Sequence, residues 1–349
     1  MATPTLPREL SMSPMAEVNV PVRLGPSNVG EIFRWAELND DLASIERMML
    51  ERTASQSRPL TTAGAHTVAA GGKRLRAALV LLAARLGDYQ FERAAHPALA
   101  IELLHAASLV HDDLVDHTLR RRGRVTVHAR WDKQVALMLG DYFFAVSANE
   151  LAAEPDPRII SFYAHAALTV VEGELRPVTQ LEPIEVALDQ YFYKIGSKTA
   201  ALFEAACKSG IAVAGGTPEQ IAAMGQFGYD LGLAFQIVDD VLDFTGNEQT
   251  LGKPAGNDLR EGTLTLPLIY AVAQSSSPLL RELARTNSPD PASVDALVDE
   301  VIRANGVGRA MHEAQRIVQR AKSRLDLFPT SLTTRALNDI CDFVLSRQV

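Results

Sequence analysis

The amino-acid sequence predicts an all-α fold, built as a single large bundle of long helices. Alanine and leucine dominate, alternating β-branched residues are scarce, and glycine or proline interrupts the chain mostly at intervals of roughly 15 to 35 residues. Several segments are longer than an average helix and apolar around much of their circumference, as is typical of helices that surround one another. These segments are 98–115, 134–153, 158–178, 186–214 and 218–244.

The N-terminal region divides into an arm and a first helical stretch. Residues 1–26 mix Pro, Met, Ser and Val without a period, so we expect a disordered or loosely attached arm. From Ser27 onward the pattern is helical and predicts one buried stripe, formed by Ile32, Phe33, Leu38, Leu42, Ile45 and Met49. No later shift in composition marks a boundary, so residues 27–349 are predicted to form one domain.

The composition narrows the class of protein. Of the 349 residues, 47% are hydrophobic, which is enough for a large core, and a net charge of -8 argues against a nucleic-acid-binding protein. The two cysteines, Cys207 and Cys341, provide no disulfide framework and indicate a reducing compartment. Because the sequence has no apolar run of about 18 residues and no signal-peptide pattern, we expect a soluble, cytoplasmic protein.

The segment from Glu102 to Asp116 places three aspartates on an otherwise apolar stretch that is typical of a buried helix. At helical spacing Asp112 and Asp116 share one face, and Asp113 lies just beside them. His105 lies two turns earlier along the same stripe. Carboxylates held together near a core repel one another and resist desolvation, so this arrangement predicts a compensating cation or a strongly basic ligand.

A second acidic cluster repeats the spacing of the first. It consists of Asp239, Asp240 and Asp243, again flanked by apolar residues. Magnesium typically takes one or two carboxylates per ion and completes its coordination with waters and substrate phosphates. The two clusters therefore predict a clamp of magnesium ions around a diphosphate.

Basic residues accompany the acidic clusters, as an anionic substrate requires. The turn at 71–76, Gly-Gly-Lys-Arg-Leu-Arg, opens a helix, where backbone N–H groups and the positive end of the helix dipole favour anions. The other basic groups are Arg120 to Arg122, the pair Lys194 and Lys198 followed by Thr199, and Lys253. Guanidinium and ammonium groups of this kind bind phosphate oxygens.

Together these motifs resemble the trans-isoprenyl (polyprenyl) diphosphate synthase family, from residue 28 to the C-terminus. The motifs that carry the resemblance are Gly71-Gly-Lys-Arg-Leu-Arg76, His111-Asp-Asp-Leu-Val-Asp116 with Arg121-Arg-Gly123, Gly140-Asp-Tyr142, Lys198-Thr199, Gly232 to Phe244, and Leu251 to Leu259. The resemblance implies the isoprenoid synthase fold, in which long helices surround a central cavity, and a medium- or long-chain member of the family.

The resemblance also implies roles for individual residues. Isopentenyl diphosphate would be bound by Lys73, Arg76, His105 and Arg122. The allylic diphosphate would contact Arg121, Lys198, Thr199, Gln236 and Lys253. Magnesium, three ions per site, would be held by Asp112, Asp116, Asp239 and Asp243, with Asp113 close by. The residues assigned to catalysis are Asp112, Asp113, Asp116, Arg121, Lys198 and Asp239.

The implied reaction proceeds by ionisation, condensation and elimination. Magnesium and cationic side chains stabilise the departing diphosphate, the double bond of isopentenyl diphosphate attacks the allylic carbocation, and loss of a proton leaves a chain longer by one isoprene unit. No protein nucleophile is required. The resemblance further suggests a homodimer, with contacts made by the helices around the first cluster, and peripheral membrane contact during product release.

Three positions depart from the family pattern. Ala77 stands where the motif usually has Pro, which affects entry into the helix. Thr263 stands where many members have a diphosphate-binding Lys. Pro177 replaces a common Gln and is expected to kink its helix near the cavity.

Product length in this family depends on the residues four and five places before the first aspartate, where a bulky aromatic stops the growing chain early. Here they are Ser108 and Ala107, both small, and Ser108 faces the same cavity as Asp112. We therefore expect products of geranylgeranyl length or longer, with a quinone side-chain precursor of six to ten isoprene units favoured. If aromatic side chains elsewhere close the bottom of the cavity, the protein would instead be a shorter-chain synthase. The candidates for such a barrier are Tyr142, Phe143, Phe144, Phe162 and Tyr163.

Three other classes of protein share some of these features. A class I terpene cyclase also uses an aspartate-rich helix and magnesium, but it lacks the second Asp-Asp-x-x-Asp cluster and the motif at 71–76. A carboxylate-bridged di-iron bundle could use Glu102 and His105, but it needs a second Glu-x-x-His pair, and the sequence offers no convincing one. An inactive regulatory subunit of a two-component synthase would be expected to lose aspartates, whereas this chain keeps all six.

Overall fold

A computed structural model of the protein describes residues 28–246 and 255–347, so the expected arm at 1–26 and the basic residue Lys253 lie outside the described residues. Helices dominate the described part, which confirms the all-α prediction. A short antiparallel hairpin joins β1 (Arg120–Arg121) to β2 (Arg124–Val125). The helices before it are α1 (Val29–Trp35), α2 (Asn39–Arg52), α3 (Arg58–Ala69), α4 (Leu75–Ala84) and α5 (Phe91–Val115).

The remaining helices follow the hairpin. Those up to residue 246 are α6 (Val127–Arg130), α7 (Lys133–Ala152), α8 (Pro157–Glu174), α9 (Ile184–Ile195), a π-helical turn (Gly196–Ala200), α10 (Ala201–Val213) and α11 (Pro218–Thr245). Those from residue 255 are α12 (Asn257–Arg260), α13 (Leu266–Gln274), α14 (Pro278–Thr286), a 3₁₀ turn (Pro291–Ser293), α15 (Val294–Arg303), α16 (Gly306–Ser323), a 3₁₀ turn (Arg324–Leu327) and α17 (Leu332–Ser346).

Helix α5, which carries the first aspartate cluster, runs antiparallel to α7. His96 Nδ1 lies 2.9 Å from Glu150 Oε2, and the Ser147 hydroxyl donates to the Ala100 carbonyl at 2.8 Å. Near the aspartates, a Cβ at Gly140 would lie only 2.1 Å from the His111 ring, so glycine is what permits the close approach there. These contacts fix the rotation of α5 about its axis and thereby the direction of each aspartate.

Helices α10 and α11 form a second close pair. A Cβ at Gly228 would lie 2.4 Å from the Phe203 carbonyl oxygen, and one at Gly232 would lie 2.6 Å from Ala200 Cα. Gly228 therefore brings α10 directly against α11, and Gly232 does the same for the π-helical turn. Because single π-helical turns interrupt regular helices and often occur at functional sites, the turn that holds Lys198 and Thr199 is a notable position for them.

Helix α4 lies inside the bundle. Nine of its residues are buried, namely Leu75 and Ala77 to Ala84. A helix that is apolar around its whole circumference is stable only when other helices cover all sides. It packs against α5 and α10, and its buried side chains belong to one contiguous core that extends from α1 to α17.

Some helix boundaries differ from those expected. The first stripe is divided between α1 and α2 because Glu37 adopts a left-handed conformation with φ of 57°, although all six predicted stripe residues are buried. The kink expected at Pro177 is wrong: α8 ends at Glu174, so this proline follows the helix. None of the helices in the described ranges is both long enough and apolar enough to cross a bilayer.

Candidate active site

Four basic residues predicted to bind one diphosphate line a single cavity of about 430 Å³. We call it the basic cavity; its charged or titratable lining consists of Lys73, Arg74, Arg76, Glu102, His105, Arg122 and Arg347. Glu102 is the single acidic residue among the described residues of the lining. The cations outnumber the carboxylate, so the cavity is suited to a multiply charged anion.

The turn before α4 shapes the mouth of the basic cavity. Gly71 and Gly72 have φ of 70° and 152°, and the backbone of a residue with a side chain would be strained at these values. A Cβ at Gly72 would lie 2.6 Å from Arg122 Nη1, and Arg122 donates a hydrogen bond to the Gly71 carbonyl. Because these glycines have no side chains, Arg122 of the hairpin can contact the turn that precedes α4.

Burial shifts the pKa values of the groups that line the basic cavity. It lowers the pKa of Arg76 to about 10, with Glu102 opposing and Arg122 adding to the effect. The Arg76 Nε is buried and has no hydrogen-bond partner within the described ranges. Burial, followed by Arg76 and Arg122, lowers the pKa of His105 well below its usual value, so this imidazole is neutral near pH 7. An unpartnered buried donor among cations is suited to an anionic ligand.

The departure at Ala77 has a structural consequence. The backbone N–H of Ala77 donates to Glu102 Oε1 at 3.1 Å, and Glu102 Oε2 lies 3.7 Å from Arg74 Nη1. Proline has no N–H and could not make the first bond. In this chain the carboxylate thus joins α5 to the first turn of α4. Sequence reasoning did not identify Glu102 as part of the cavity.

The first aspartate cluster lies where α5 ends. Asp112 Oδ2 is 3.4 Å from Lys198 Nζ, which also lies 2.7 Å from Glu174 Oε1. Burial raises the pKa of Asp112, and Lys198 opposes that shift. Asp113 accepts from Arg121 Nε at 2.7 Å, while Asp116 is exposed and forms the C-cap of α5.

The second cluster lies on α11 beside the π-helical turn. Asp239 Oδ1 is 2.8 Å from Arg347 Nη1. Asp240 is buried and accepts from the Tyr191 hydroxyl at 2.7 Å and from Gln236 Nε2 at 2.9 Å. Burial raises the pKa of Asp240 to about 7, and the two hydrogen bonds oppose the shift.

Two further placements complete the second cluster. The Thr199 hydroxyl donates to Gln236 Oε1 at 2.8 Å, so these two predicted residues are in direct contact. Asp243 is buried and accepts the Asp258 backbone N–H at 3.1 Å, which ties α11 to the start of α12. We call the two clusters with Glu174, Lys198, Thr199 and Gln236 the aspartate site.

The basic cavity and the aspartate site adjoin at two points. Consecutive hairpin residues diverge, because Arg121 binds Asp113 whereas Arg122 lines the cavity. Arg347 lines the cavity and binds Asp239. Sequence reasoning missed Arg347, Glu174 and Tyr191, and for Arg347 no local pattern points to a partner so distant in sequence.

The donor set of the aspartate site fits magnesium. Its acidic groups are carboxylates, the hard oxygen donors that magnesium prefers, and burial of Asp112 and of Asp239 favours a nearby cation. Within residues 28–246 and 255–347, no three His, Cys, Asp or Glu side chains converge as a preformed cage. Glu102 is committed to Ala77 and Arg74, which argues against the di-iron alternative.

The residues expected to control product length differ in how far they are buried. Ala107 is buried, and Ser108 is half-buried with its hydroxyl donating to the His105 carbonyl at 2.9 Å. Neither residue lines the basic cavity. Among the aromatic alternatives, Phe143 and Tyr163 are buried, whereas Phe144 is 50% exposed on the outer face of α7.

Comparison with known proteins places the chain in a family. The family model for polyprenyl synthetases matches residues 57–301, more than half of the chain, so the protein belongs to the polyprenyl synthetase family. It is a trans-polyprenyl diphosphate synthase, a prenyltransferase of isoprenoid biosynthesis.

Individual relatives agree with this assignment. Heptaprenyl diphosphate synthase component 2 of Geobacillus stearothermophilus is 39% identical over 90% of this chain and 98% of its own. Octaprenyl diphosphate synthase of Haemophilus influenzae is 33% identical over 89% and 94%. Among solved structures, a Caulobacter crescentus polyprenyl synthase complexed with calcium and isoprenyl diphosphate gives a TM-score of 0.85 at 32% identity, covering 94% of this chain and 100% of the other.

Proposed function

We propose that this enzyme is a magnesium-dependent prenyltransferase that condenses isopentenyl diphosphate with an allylic diphosphate into a long all-trans polyprenyl diphosphate. The observation that carries the proposal is the pair of adjoining anion sites, which the consecutive residues Arg121 and Arg122 link. A class I terpene cyclase handles one diphosphate and has no use for the basic cavity. Two diphosphate substrates require two such sites.

Each site has its own task in the proposed reaction. In the basic cavity, Lys73, Arg76 and Arg122 bind the diphosphate of isopentenyl diphosphate, and neutral His105 contributes a hydrogen bond rather than a charge. In the aspartate site, Arg121, Lys198, Thr199 and Gln236 orient the allylic diphosphate; we assign Lys253 to it as well. The two substrates are thus held with their reacting carbons in proximity.

Magnesium supplies charge neutralisation of the departing diphosphate when it is bound. We assign as its ligands Asp112, Asp116, Asp239 and Asp243. By family resemblance, each site would hold three ions. Cleavage of the allylic C–O bond sends its electron pair to the diphosphate, and the double bond of isopentenyl diphosphate then forms the new C–C bond. The proton lost afterwards passes to the released diphosphate, so the balanced products are one longer polyprenyl diphosphate and one diphosphate.

We further propose a product of six to ten isoprene units. The names of the heptaprenyl and octaprenyl relatives support this length, as do the small residues Ala107 and Ser108 beneath the first aspartate. The second candidate is a shorter-chain geranylgeranyl or farnesyl synthase, in which a buried aromatic such as Tyr163 would close the path of the tail.

One experiment tests the reaction and the product length. The purified enzyme is incubated with farnesyl diphosphate, labelled isopentenyl diphosphate and magnesium, and the dephosphorylated products are separated by length. We expect incorporation into products of six to ten units. No incorporation with any allylic primer would contradict the synthase proposal, and a product of farnesyl size or shorter from dimethylallyl diphosphate would contradict the long-chain proposal.

Two substitutions test the path of the tail. Ala107→Phe and Ser108→Phe should each shorten the product, because the ring would fill the space one turn below the aspartates. Ala65→Phe, on an exposed position of α3, is the matched control and should leave the distribution unchanged. An unchanged distribution in both test variants would show that the tail passes elsewhere.

We propose that the molecule is a homodimer joined through α7 and α8. The outer faces of these helices expose a group of large apolar side chains, each between 42% and 65% exposed: Leu137, Met138, Phe144, Ile160, Leu168 and Val171. Groups of exposed large apolar side chains of this kind are typical of interfaces between proteins. The occupant is a second copy; the relative named component 2 makes a different chain the alternative outcome.

Light scattering after size exclusion tests the dimer. The wild-type protein should have twice the monomer mass, and Leu168→Arg should convert it to monomers. Leu332→Arg, at a similarly exposed leucine on α17, should leave the mass unchanged. A wild-type monomer would contradict the proposal.

The remaining assignments concern the whole chain. We propose that residues 27–349 form one domain, which the contiguous core from α1 to α17 supports. The two buried free cysteines support a reducing, cytoplasmic location, and an apolar product favours peripheral membrane contact at release.

A further inference from the structure

The second aspartate of each Asp-Asp-x-x-Asp motif differs from the first in its surroundings. Asp113 and Asp240 are buried, and the side chain of Asp113 is only 10% exposed. The side chains of Asp112 and Asp239 retain 21% and 41% exposure. Consecutive residues of an α-helix point in directions about 100° apart, so the second aspartate cannot share the direction of the first.

Asp113 holds one edge of a guanidinium group. Its Oδ1 accepts from Arg121 Nε at 2.7 Å, and the antiparallel hairpin carries Arg121 to that place. Both terminal nitrogens of Arg121 remain without a hydrogen-bond partner among the described residues. The carboxylate therefore fixes the inner edge of the arginine and leaves the outer edge available for phosphate oxygens.

Asp240 holds the side-chain amide of Gln236. One carboxylate oxygen accepts from Gln236 Nε2 at 2.9 Å and the other from the Tyr191 hydroxyl at 2.7 Å. Because the Thr199 hydroxyl donates to the amide oxygen, the amide cannot flip without losing two hydrogen bonds. The second N–H of Gln236 consequently has a fixed direction.

We propose that Asp113 and Asp240 are positioning residues, each aiming one side chain at the allylic diphosphate instead of binding magnesium. Asp113 acts through Arg121, and Asp240 acts through Gln236. This inference rests on the proposed function. The aspartates of each motif thus have different roles. The first faces the substrate, and the second orients a neighbouring side chain that contacts the substrate.

Arg121 and Gln236 differ in charge, so the proposal can be tested independently at each of them. Arg121 contributes a charge-assisted hydrogen bond, whereas Gln236 contributes a neutral one, so the loss of Asp113 should cost more. For Asp113→Asn we expect the KM for the allylic diphosphate to rise about tenfold, with a change in kcat of less than about threefold. For Asp240→Asn a rise of about threefold is expected, because asparagine keeps a single acceptor for two donors.

Double-mutant cycles separate positioning from metal binding. Asp113→Asn is combined with Arg121→Met, and Asp240→Asn with Gln236→Ala. If each aspartate acts only through its partner, it should have no further effect on KM once the partner is gone. Arg120→Met, an exposed arginine of the same hairpin, is the matched control in the first cycle.

The outcomes of the cycles are distinct. Strong coupling in both cycles, with the magnesium concentration for half-maximal activity unchanged, is the expected result. Additive effects, or a magnesium requirement raised as much as in Asp112→Asn, would overturn the inference while the wild-type enzyme still makes product. If Asp240→Asn does not fold, Tyr191→Phe replaces it, because it removes one of the two bonds that orient the carboxylate. No product from the wild-type enzyme would instead contradict the proposed function.

Discussion

The basic cavity and the aspartate site differ in what their charged groups already contact. In the cavity, Arg76 Nε is buried and has no hydrogen-bond partner in the described part of the chain, and Glu102 faces several cations. In the aspartate site, by contrast, Asp112 lies close to Lys198 and Asp239 forms an ion pair with Arg347. The cavity therefore has unused positive charge, whereas the aspartates are partly neutralised from within.

Under the proposed function, this difference would let two neighbouring sites select the same chemical group by different means. A diphosphate can enter the basic cavity directly, because its charge relieves the cost of the buried cations. The aspartate site is acidic and repels the same diphosphate unless additional cations are present. We therefore expect metal ions to control one substrate far more than the other.

Removal of divalent metal should have the largest effect. With EDTA in excess, turnover should fall below detection, since side-chain cations such as Lys198 and Arg121 are too few to offset four carboxylates and a diphosphate. Calorimetry should show that isopentenyl diphosphate still binds within about threefold of its affinity with magnesium, whereas a non-cleavable allylic analogue loses at least about tenfold. Equal losses for both ligands would mean that the two sites do not differ in the way described.

Asp112→Asn should have the next largest effect. Loss of one preorganised charge that acts on the departing group reduces turnover by about 10² to 10³ fold, and we expect kcat to fall by that amount. Asp189→Asn, on an exposed position of α9, is the control and should retain wild-type kcat. A fall in kcat of less than tenfold for Asp112→Asn would remove this residue from the catalytic set.

Arg122→Met should act on binding more than on turnover. A hydrogen bond to a charged group contributes about 1.5 to 3 kcal/mol, so the KM for isopentenyl diphosphate should rise by about 10- to 100-fold. The KM for the allylic substrate should stay within about twofold of wild type. Arg120→Met, the exposed neighbour in the hairpin, provides the matched control. Equal effects of the two substitutions would show that Arg122 acts only through net charge.

His105→Gln should change the pH dependence of stability by a smaller amount. The folded-state pKa of His105 is lowered far below the unfolded value of about 6.5, so below that pH the unfolded chain binds a proton that the folded protein does not. As the pH is lowered below about 6.5, the free energy of unfolding of the wild type should then fall more steeply than that of the variant, by up to about 1.4 kcal/mol per pH unit. Urea titrations between pH 5 and pH 8 measure this, and parallel curves would mean that His105 is protonated in the fold.

Helical identity and motif spacing could be predicted because they are local properties. The apolar segments and the glycine and proline interruptions are sufficient to predict the long helices, and the repeated Asp-Asp-x-x-Asp spacing is sufficient to identify both aspartate clusters. The division of the first stripe at Glu37 and the end of α8 before Pro177 were missed, because a left-handed residue or an early helix end leaves little trace in the periodicity.

The sequence by itself determined the all-α class, the family, and the types of residue that we propose to bind two diphosphates and their metal. Only the tertiary structure decided which way each aspartate points, that Arg121 binds Asp113 while Arg122 lines the basic cavity, and that Arg347 pairs with Asp239. The physical reason is that the direction of a side chain depends on how its helix packs against the others. Contacts such as that of Gly232 against Ala200 set the rotation of a whole helix, and they join residues too distant in sequence for any local pattern to record.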